Sequence, residues 1–330
     1  MSNQTDQQVG DSFSRRLAAM PFVWPVALLS AYLLCIWIFV PVFFSPANLV
    51  SVTYSASLLA PAILGVHLLL LLGLFDLSIG AVAALSGTVC AILMVHGAPV
   101  SASIAAGLAA GCLFGVLNSV IVSSLGISAL VGTLVTMGIA RAAALGFTEG
   151  RVVSNLPDSF QGMAAVRVGD VPLLCLFVLG SVALVEFFER RHVIFRRFYH
   201  VGGSREAARN SGINVRGIEW LAFLIAGGGA ALTGILQVSR SNTASPSVFG
   251  DLALDAIAAC VIGGTGLQGG VGRGFGSFLG LLVVVISRNL TVLAGVSVYW
   301  KDLVVALVLL ASVLVNRLPE VARKQTKIQE

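Results

Sequence analysis

Between Arg16 and Arg141 the sequence contains a single Asp, Glu, Lys or Arg, the aspartate at position 76. A water-soluble fold of that size would have no charged surface to hold it in solution, whereas a hydrocarbon solvent excludes charge in this way. The rest of the chain agrees: 57% of its 330 residues are hydrophobic and 11% are charged, against roughly 25% charged in soluble domains. Mean hydropathy is +0.95. The fold class expected is therefore an all-α integral membrane protein. The net charge of +5 does not point to nucleic acid, because the basic residues collect in short loops and tails between apolar runs, where positive charge sets membrane orientation.

Apolar runs able to cross a bilayer occupy 22–44, 52–75, 79–95, 101–124, 127–140, 171–185, 220–238, 252–267, 275–287 and 298–315. Charge enters two of them, as Asp255 in the eighth and as Lys301 with Asp302 in the last. Several runs fall short of the ~20 residues of a straight crossing. Broken or re-entrant helices are expected there, tolerated where the backbone is buried in protein or lines a cavity.

Sidedness follows from the arginines. The segment 189–217 carries Arg190, Arg191, Arg196, Arg197, Arg205, Arg209 and Arg216 against Glu189 and Glu206, so it reads as cytoplasmic. Six crossings before it place the N-terminus, with Arg15 and Arg16, on the same side. Four more return Arg317, Arg323, Lys324 and Lys327 there, and the intervening loop 45–51, expected outside, has no basic residue. Eight helices with two re-entrant segments would satisfy the same parity, so the expectation is 8–10 helices with both termini cytoplasmic. The organisation expected is a tail at 1–21, a first transmembrane half at 22–188, a cytoplasmic segment at 189–217, a second half at 218–316 and a tail at 317–330. The first apolar run is too long for a signal-peptide core and lacks a small-residue cleavage pattern, so it reads as a retained first spanning helix.

Glycine spacing suggests two pseudo-repeats. Gly107, Gly111 and Gly115 form a GxxxGxxxG pattern that returns as Gly272, Gly276 and Gly280, displaced by 165 residues, half the chain. Small residues at that spacing let helix backbones approach closely in lipid. With 36 glycines in the chain, chance recurrence is the competing explanation, and the matched offset favours a duplicated bundle around a central path.

Catalytic signatures fail one by one. None of the three lysines, Lys301, Lys324 and Lys327, follows a GxxxxG phosphate loop, so the chain is not itself an ATPase. Ser86 lies in Ala84-Leu85-Ser86-Gly87, Asp76 follows Gly73-Leu74-Phe75, and no HExxH occurs among the four histidines, which removes intramembrane protease patterns. The cysteines Cys35, Cys90, Cys112, Cys175 and Cys260 lie singly in apolar runs, with neither a disulfide framework nor a thiolate metal site indicated. His67 and His96 read as packing or interface residues, since neither has an ionisable partner within one helical turn in sequence.

The most informative stretch is Phe195-Arg196-Arg197-Phe198-Tyr199-His200-Val201-Gly202-Gly203-Ser204-Arg205-Glu206-Ala207-Ala208-Arg209-Asn210-Ser211-Gly212-Ile213-Asn214. A capping Ser204, helix formers from Arg205 to Arg209 and a stop at Gly212 describe a surface helix of about two turns. This stretch resembles the coupling segment of permeases of bacterial ATP-binding cassette (ABC) importers for ribose, xylose, galactose and related sugars, whose usual form is near GRxxYAIGGNxEAARLSGI. Leu72 to Gly80 resembles that family's GGIDLSVGS, Asp255 to Gly272 its DAIAAVVIGGTSLxGGxG, Gly111 to Asn118 fits GxxxGxxN, and Asn289 to Ser297 loosely fits NGL...LLGVS. The resemblance covers nearly the whole chain. Departures stand at Leu74, in place of the second glycine of GGIDLS, at Ser128 and Ala129, where proline usually precedes the stretch that is here Thr133-Leu134-Val135, and at Phe195, in place of the first glycine.

The resemblance implies that Ser204, Arg205, Glu206, Ala207, Ala208, Arg209, Gly212 and Ile213 dock onto a separate ATPase subunit. It also implies a second permease copy or paralogue, a periplasmic binding protein that delivers a small polyhydroxylated solute, and ATP with Mg held by the partner, with no cofactor on this chain. Asp76 either caps the helix expected to begin at Leu77 or touches substrate, and Asp255 invites the same two readings. Ser78, Asn118, Thr133, Asn289 and Thr291 are further path candidates. A permease for a signal molecule, polyol or branched-chain amino acid, an ATP-independent transporter or channel, and a purely structural membrane subunit are the other readings. The ATP-independent reading predicts intramembrane charge pairs, against which the near-solitary Asp76 of the first half counts, and a purely structural subunit would not need the capped helix.

Overall fold

The computed structural model describes residues 23–168 and 171–295, with positions 300, 303, 306, 307 and 310 beyond them. The two expected tails, with Arg15, Arg16, Arg317, Arg323, Lys324 and Lys327, lie outside the described residues, as do Lys301 and Asp302 of the last apolar run.

The described chain is helical apart from one two-residue antiparallel pair, Arg167–Val168 with Val171–Pro172. We number the helices α1 Val23–Phe39, α2 Pro46–Leu71, α3 Ile79–Val95, α4 Val100–Ser119, α5 Ala129–Thr148, α6 Asp158–Ala165, α7 Leu173–Arg191, α8 Val193–Gly203, α9 Arg205–Asn210, α10 Val215–Ser241, α11 Leu252–Ile262 and α12 Gly274–Leu293. Five are long and apolar enough to cross a bilayer: α2, α4 with the π-turn Val120–Ser124 that continues it, α5, α10 and α12. Residues 25–39 of α1, together with α3 and α11, are shorter apolar helices.

Boundaries moved where tertiary packing outweighed hydropathy. The run 252–267 is helical only to Ile262, as a broken helix would be, and a glycine-rich loop follows. The run 127–140 continues to Thr148 and takes in Arg141, 171–185 continues through Glu189 to Arg191, and 275–287 continues to Leu293 and takes in Arg288. The loop 45–51 is mostly the first turn of α2, which Pro46 opens with its fixed φ.

Helix α10 is central and packs against α2, α3 and α4. Nearly every residue of α2 from Ala56 to Leu71 is buried, as expected of a helix apolar on all sides. Thr233 Oγ1 of α10 accepts from the Ala62 backbone N–H at 3.2 Å, next to the mid-helix Pro61, which ties the two longest helices together. The outer α5 instead exposes Leu130, Val131, Leu134, Val135 and Ile139, a face suited to lipid or to another subunit.

The first glycine triplet acts as spacing implies. A Cβ on Gly107, Gly111 or Gly115 would stand 2.8, 2.5 and 2.5 Å from the carbonyl oxygens of Ser86, Gly227 and Phe223, so α4 lies in backbone contact with α3 and α10. The second triplet differs. Gly276 and Gly280 lie on α12 against the carbonyls of Gly263 and Ala259. Gly272 is a loop residue at φ 150°, packed on Thr265 and ahead of the first helical residue, so it takes no part in helix-on-helix packing.

Candidate functional site

Three polar assemblies interrupt the apolar bundle. The first is the projecting segment α8–α9. Helix α8 buries Phe198 and Val201 and exposes Arg196 and Arg197, while Phe188, Phe195 and Phe198 stack in series at 5.4 and 5.6 Å. Ser204 ends it in extended backbone and caps α9, its Oγ accepting from Ala207 N–H at 3.2 Å. Glu206 stands in the first turn and Arg209 in the last, both favourable to the helix dipole. The stop is the expected one: Gly212 adopts φ 76°, its N–H donates to Arg209 O and that of Ile213 to Ala208 O, both at 3.0 Å.

Within α9 only Ala208 is buried, so Arg205, Glu206, Ala207 and Arg209 present themselves outward, with Ile213 half-buried behind them. An ion pair of 3.1 Å between Arg205 and the buried Glu219 anchors this short helix to the start of α10. The pair gives α9 a direct side-chain contact with the most central helix of the bundle. A hollow of about 730 Å³ lies beside this segment, bordered by Gly73, Ser128, Gly202, Glu206 and Gln268.

The second assembly gathers four residues singled out as path candidates, which stand 2, 40 and 15 positions apart in sequence. Asp76 Oδ1 accepts from Ser78 N–H at 2.8 Å and from Ser78 Oγ at 2.6 Å, and Oδ2 accepts from Asn118 Nδ2 at 3.2 Å. Asn118 also reaches Ser78 Oγ at 3.0 Å and accepts from Thr136 Oγ1 at 2.6 Å. Thr133 Oγ1 accepts from Leu77 N–H at 3.1 Å. Asp76, Ser78, Asn118, Thr133 and Thr136 are at most 2% exposed, so within one chain this is a closed polar knot joining α3, α4 and α5. Helix α3 starts at Ile79 rather than Leu77, and the Asp76 carboxylate serves the Ser78 N–H just ahead of it. Thr136 was not foreseen; its only sequence signal is the three-residue spacing from Thr133.

The remaining candidates lie in the second half and pair elsewhere. Asp255 is bound by Arg288 at 2.7 Å, and Asn289 exchanges amide hydrogen bonds of 2.8 and 3.0 Å with Asn48 at the start of α2. Thr291 Oγ1 donates to Arg288 O at 2.7 Å.

The third assembly escaped the sequence reading. His67 Nε2 of α2 lies 2.8 Å from Glu189 Oε1 at the end of α7, both buried, while Nδ1 is 2.9 Å from Ser277 Oγ and 3.0 Å from Thr265 Oγ1. Glu189 Oε2 accepts from Gly274 N–H at 3.1 Å and from Tyr199 OH at 3.2 Å, and the same hydroxyl lies 3.0 Å from Gly272 O. Burial first, and the Glu189 carboxylate second, push the Tyr199 phenol well above its ordinary range, so it remains a donor. No ionisable partner of His67 lies within one helical turn in sequence. Its partner is 122 residues away and was counted among the charges of a surface loop.

Among the described residues no group of three or more His, Cys, Asp or Glu is placed to hold a metal ion. An apolar helical bundle with five helices long enough to cross a bilayer, carrying a capped, charged short helix braced against its central helix, defines a multi-pass membrane protein. Residues 48–313 match the family described as the permease component of branched-chain amino acid transport systems, and the chain belongs to that family.

Relatives agree with this along most of their length. The chain is 31% identical over 282 residues to the ribose import permease protein RbsC of Haemophilus influenzae, covering 84% of this chain and 87% of that one. It is 35% identical over 281 residues to RbsC of Escherichia coli K12, with the same coverage. It is 32% identical over 270 residues to the autoinducer 2 import system permease protein LsrC of Enterobacter sp. 638, covering 82% and 79%. The chain is thus a multi-pass inner-membrane permease of the ABC importer type, a transporter subunit and not an enzyme.

Proposed function

We propose that this permease carries a small sugar or closely related polyhydroxylated solute across the inner membrane, powered by a separate ATPase subunit and supplied by a periplasmic binding protein. The observation that carries the coupling half of this reading is α9: capped at Ser204, stopped at Gly212, outward-facing, and tied by Arg205 to Glu219 of α10. A short rigid element held this way converts closure of an ATPase dimer into a rigid-body movement of α10 and the helices packed on it. ATP and Mg belong to the partner. Two permeases, identical or paralogous, enclose the path at their shared axis, with the apolar face of α5 available for that contact or for lipid. The sugar half of the reading rests on relatives named for ribose import.

A signal-molecule importer is the second reading, favoured by the similarity to a permease named for autoinducer 2 import. An ATP-independent transporter would use intramembrane charge pairs. The Asp255–Arg288 pair joins two helices of one chain through short contacts, and family membership favours ATP drive.

The test is reconstitution in proteoliposomes with an ATPase and a binding protein of the importer from the same genome, following labelled ribose, galactose, xylose and autoinducer 2. ATP-dependent uptake of one sugar supports the reading. Uptake without the ATPase, or no association with one in mild detergent, overturns it.

A further inference from the structure

We propose that His67, Glu189 and Tyr199 form a positioning joint that carries movement of α8 into α2 and α12, so that its loss separates ATP hydrolysis from transport. The proposal rests on the permease reading above and adds a second transmission route to the one through α9 and α10.

The geometry is that of a junction rather than a local contact. Glu189, on the last turn of α7, touches three other helices: His67 of α2, Tyr199 of α8 and the first N–H of α12 at Gly274. Helix α12 has no cap from its own N-cap residue, because Arg273 offers no side-chain acceptor there. The carboxylate of Glu189 therefore supplies what the helix start lacks, negative charge and an acceptor for an otherwise open donor. Glu186, one turn earlier, lies 3.4 Å from Phe275 N–H and extends the same contact. On the far side His67 fixes Ser277 of α12 and Thr265 of the α11–α12 loop.

Helix α8 meets this junction twice. The Tyr199 hydroxyl is shared between Glu189 and Gly272 O. One helical turn on, Gly202 lies against Leu71 O and Gly270 N so closely that no Cβ fits, and Gly270 N–H donates to Leu71 O at 2.8 Å. A push on α8 thus reaches the end of α2 and the start of α12 through hard contacts and directional hydrogen bonds.

Stability alone does not account for a charged group here. A buried pair of this kind is often no more stabilising than well-packed apolar residues of the same volume. What it adds is a fixed geometry among four helices, since every member has its partners and a shift of any one breaks bonds in the others.

The experiment uses the complete importer in proteoliposomes, with Tyr199→Phe, Glu189→Gln and His67→Gln, reading sugar taken up per ATP hydrolysed. Thermal melting of each complex in detergent reports folding separately, and Tyr199→Phe, which removes one oxygen, keeps the test open if a charge variant fails to assemble. The expected result is near wild-type ATP hydrolysis with uptake per ATP lowered threefold or more, most in Glu189→Gln. Uptake and hydrolysis that fall together in proportion to folded complex, or an unchanged ratio in Tyr199→Phe and Glu189→Gln, overturn the joint while leaving the permease reading intact. A wild-type complex without ATP-driven uptake overturns that reading instead, and the joint with it.

Discussion

One guanidinium nitrogen of Arg288 reaches both carboxylate oxygens of Asp255, at 2.7 and 2.8 Å, and so ties the C-terminal half of α12 to the first turn of α11. The two residues are 33 positions apart and each would be costly alone in a lipid-embedded bundle. Together they set how the short α11 docks on its neighbour, beside the close glycine contacts at Gly276 and Gly280.

Asp255→Asn leaves the Arg288 charge without its counter-ion, and the folded permease should lose about 3 kcal/mol, the low end for breaking a buried pair. Detergent melting curves of Asp255→Asn and of the double variant Asp255→Asn/Arg288→Gln check this. The double variant should recover a good part of the loss; a double variant as unstable as the single one would assign the cost to lost volume rather than stranded charge.

Gly111→Leu should be among the most damaging single changes in α4, because a Cβ there would stand 2.5 Å from both Gly227 O and Ala231 Cβ. Overpacking of this kind costs about 1–3 kcal/mol or more. Gly138→Leu on α5 is the matched control: its Cβ meets nothing within 4 Å, so the change should stay within about 0.5 kcal/mol. The difference in melting temperature between the two variants is the measurement.

Asp76→Ala should destabilise the folded chain by about 1–3 kcal/mol, the cost of leaving the Ser78 and Asn118 donors without their acceptor. Because Asp76 is 2% exposed and fully engaged, surviving complexes should keep the wild-type half-saturating sugar concentration in uptake assays. A large change in that concentration with normal melting would put Asp76 on the substrate path.

Arg209→Glu reverses a charge on the exposed face of α9, and Ser204→Ala removes its cap at a local cost of about 1 kcal/mol. Neither position touches the buried core, so membrane insertion and melting of the isolated permease should hold. Co-purification of the ATPase should drop severalfold for Arg209→Glu and less for Ser204→Ala. Full retention of the ATPase by Arg209→Glu would mean that α9 docks through other residues.

The capped α9 was legible because its signals are local: a serine, five good helix formers and a glycine within nine positions. The knot around Asp76 was half legible. Its members stood out as polar groups in apolar runs, but that Asp76, Ser78, Asn118 and Thr133 meet one another followed only from α4 and α5 packing on α3. Arg288 was passed over because the hydropathy run ended one residue before it, and Glu189 because a glutamate among arginines looks like loop charge.

By itself the sequence determined the solvent, the helical class and the projecting segment. Each of these depends on composition or on residues within a turn or two, so hydropathy, charge bias and capping chemistry express them directly. Tertiary structure alone decided which buried ionisable groups meet. His67 and Glu189 are 122 positions apart, and nothing local marks them as partners. The cost of an unpaired charge away from water requires that each buried one find a partner, but only the packing of α2, α7 and α12 chooses which.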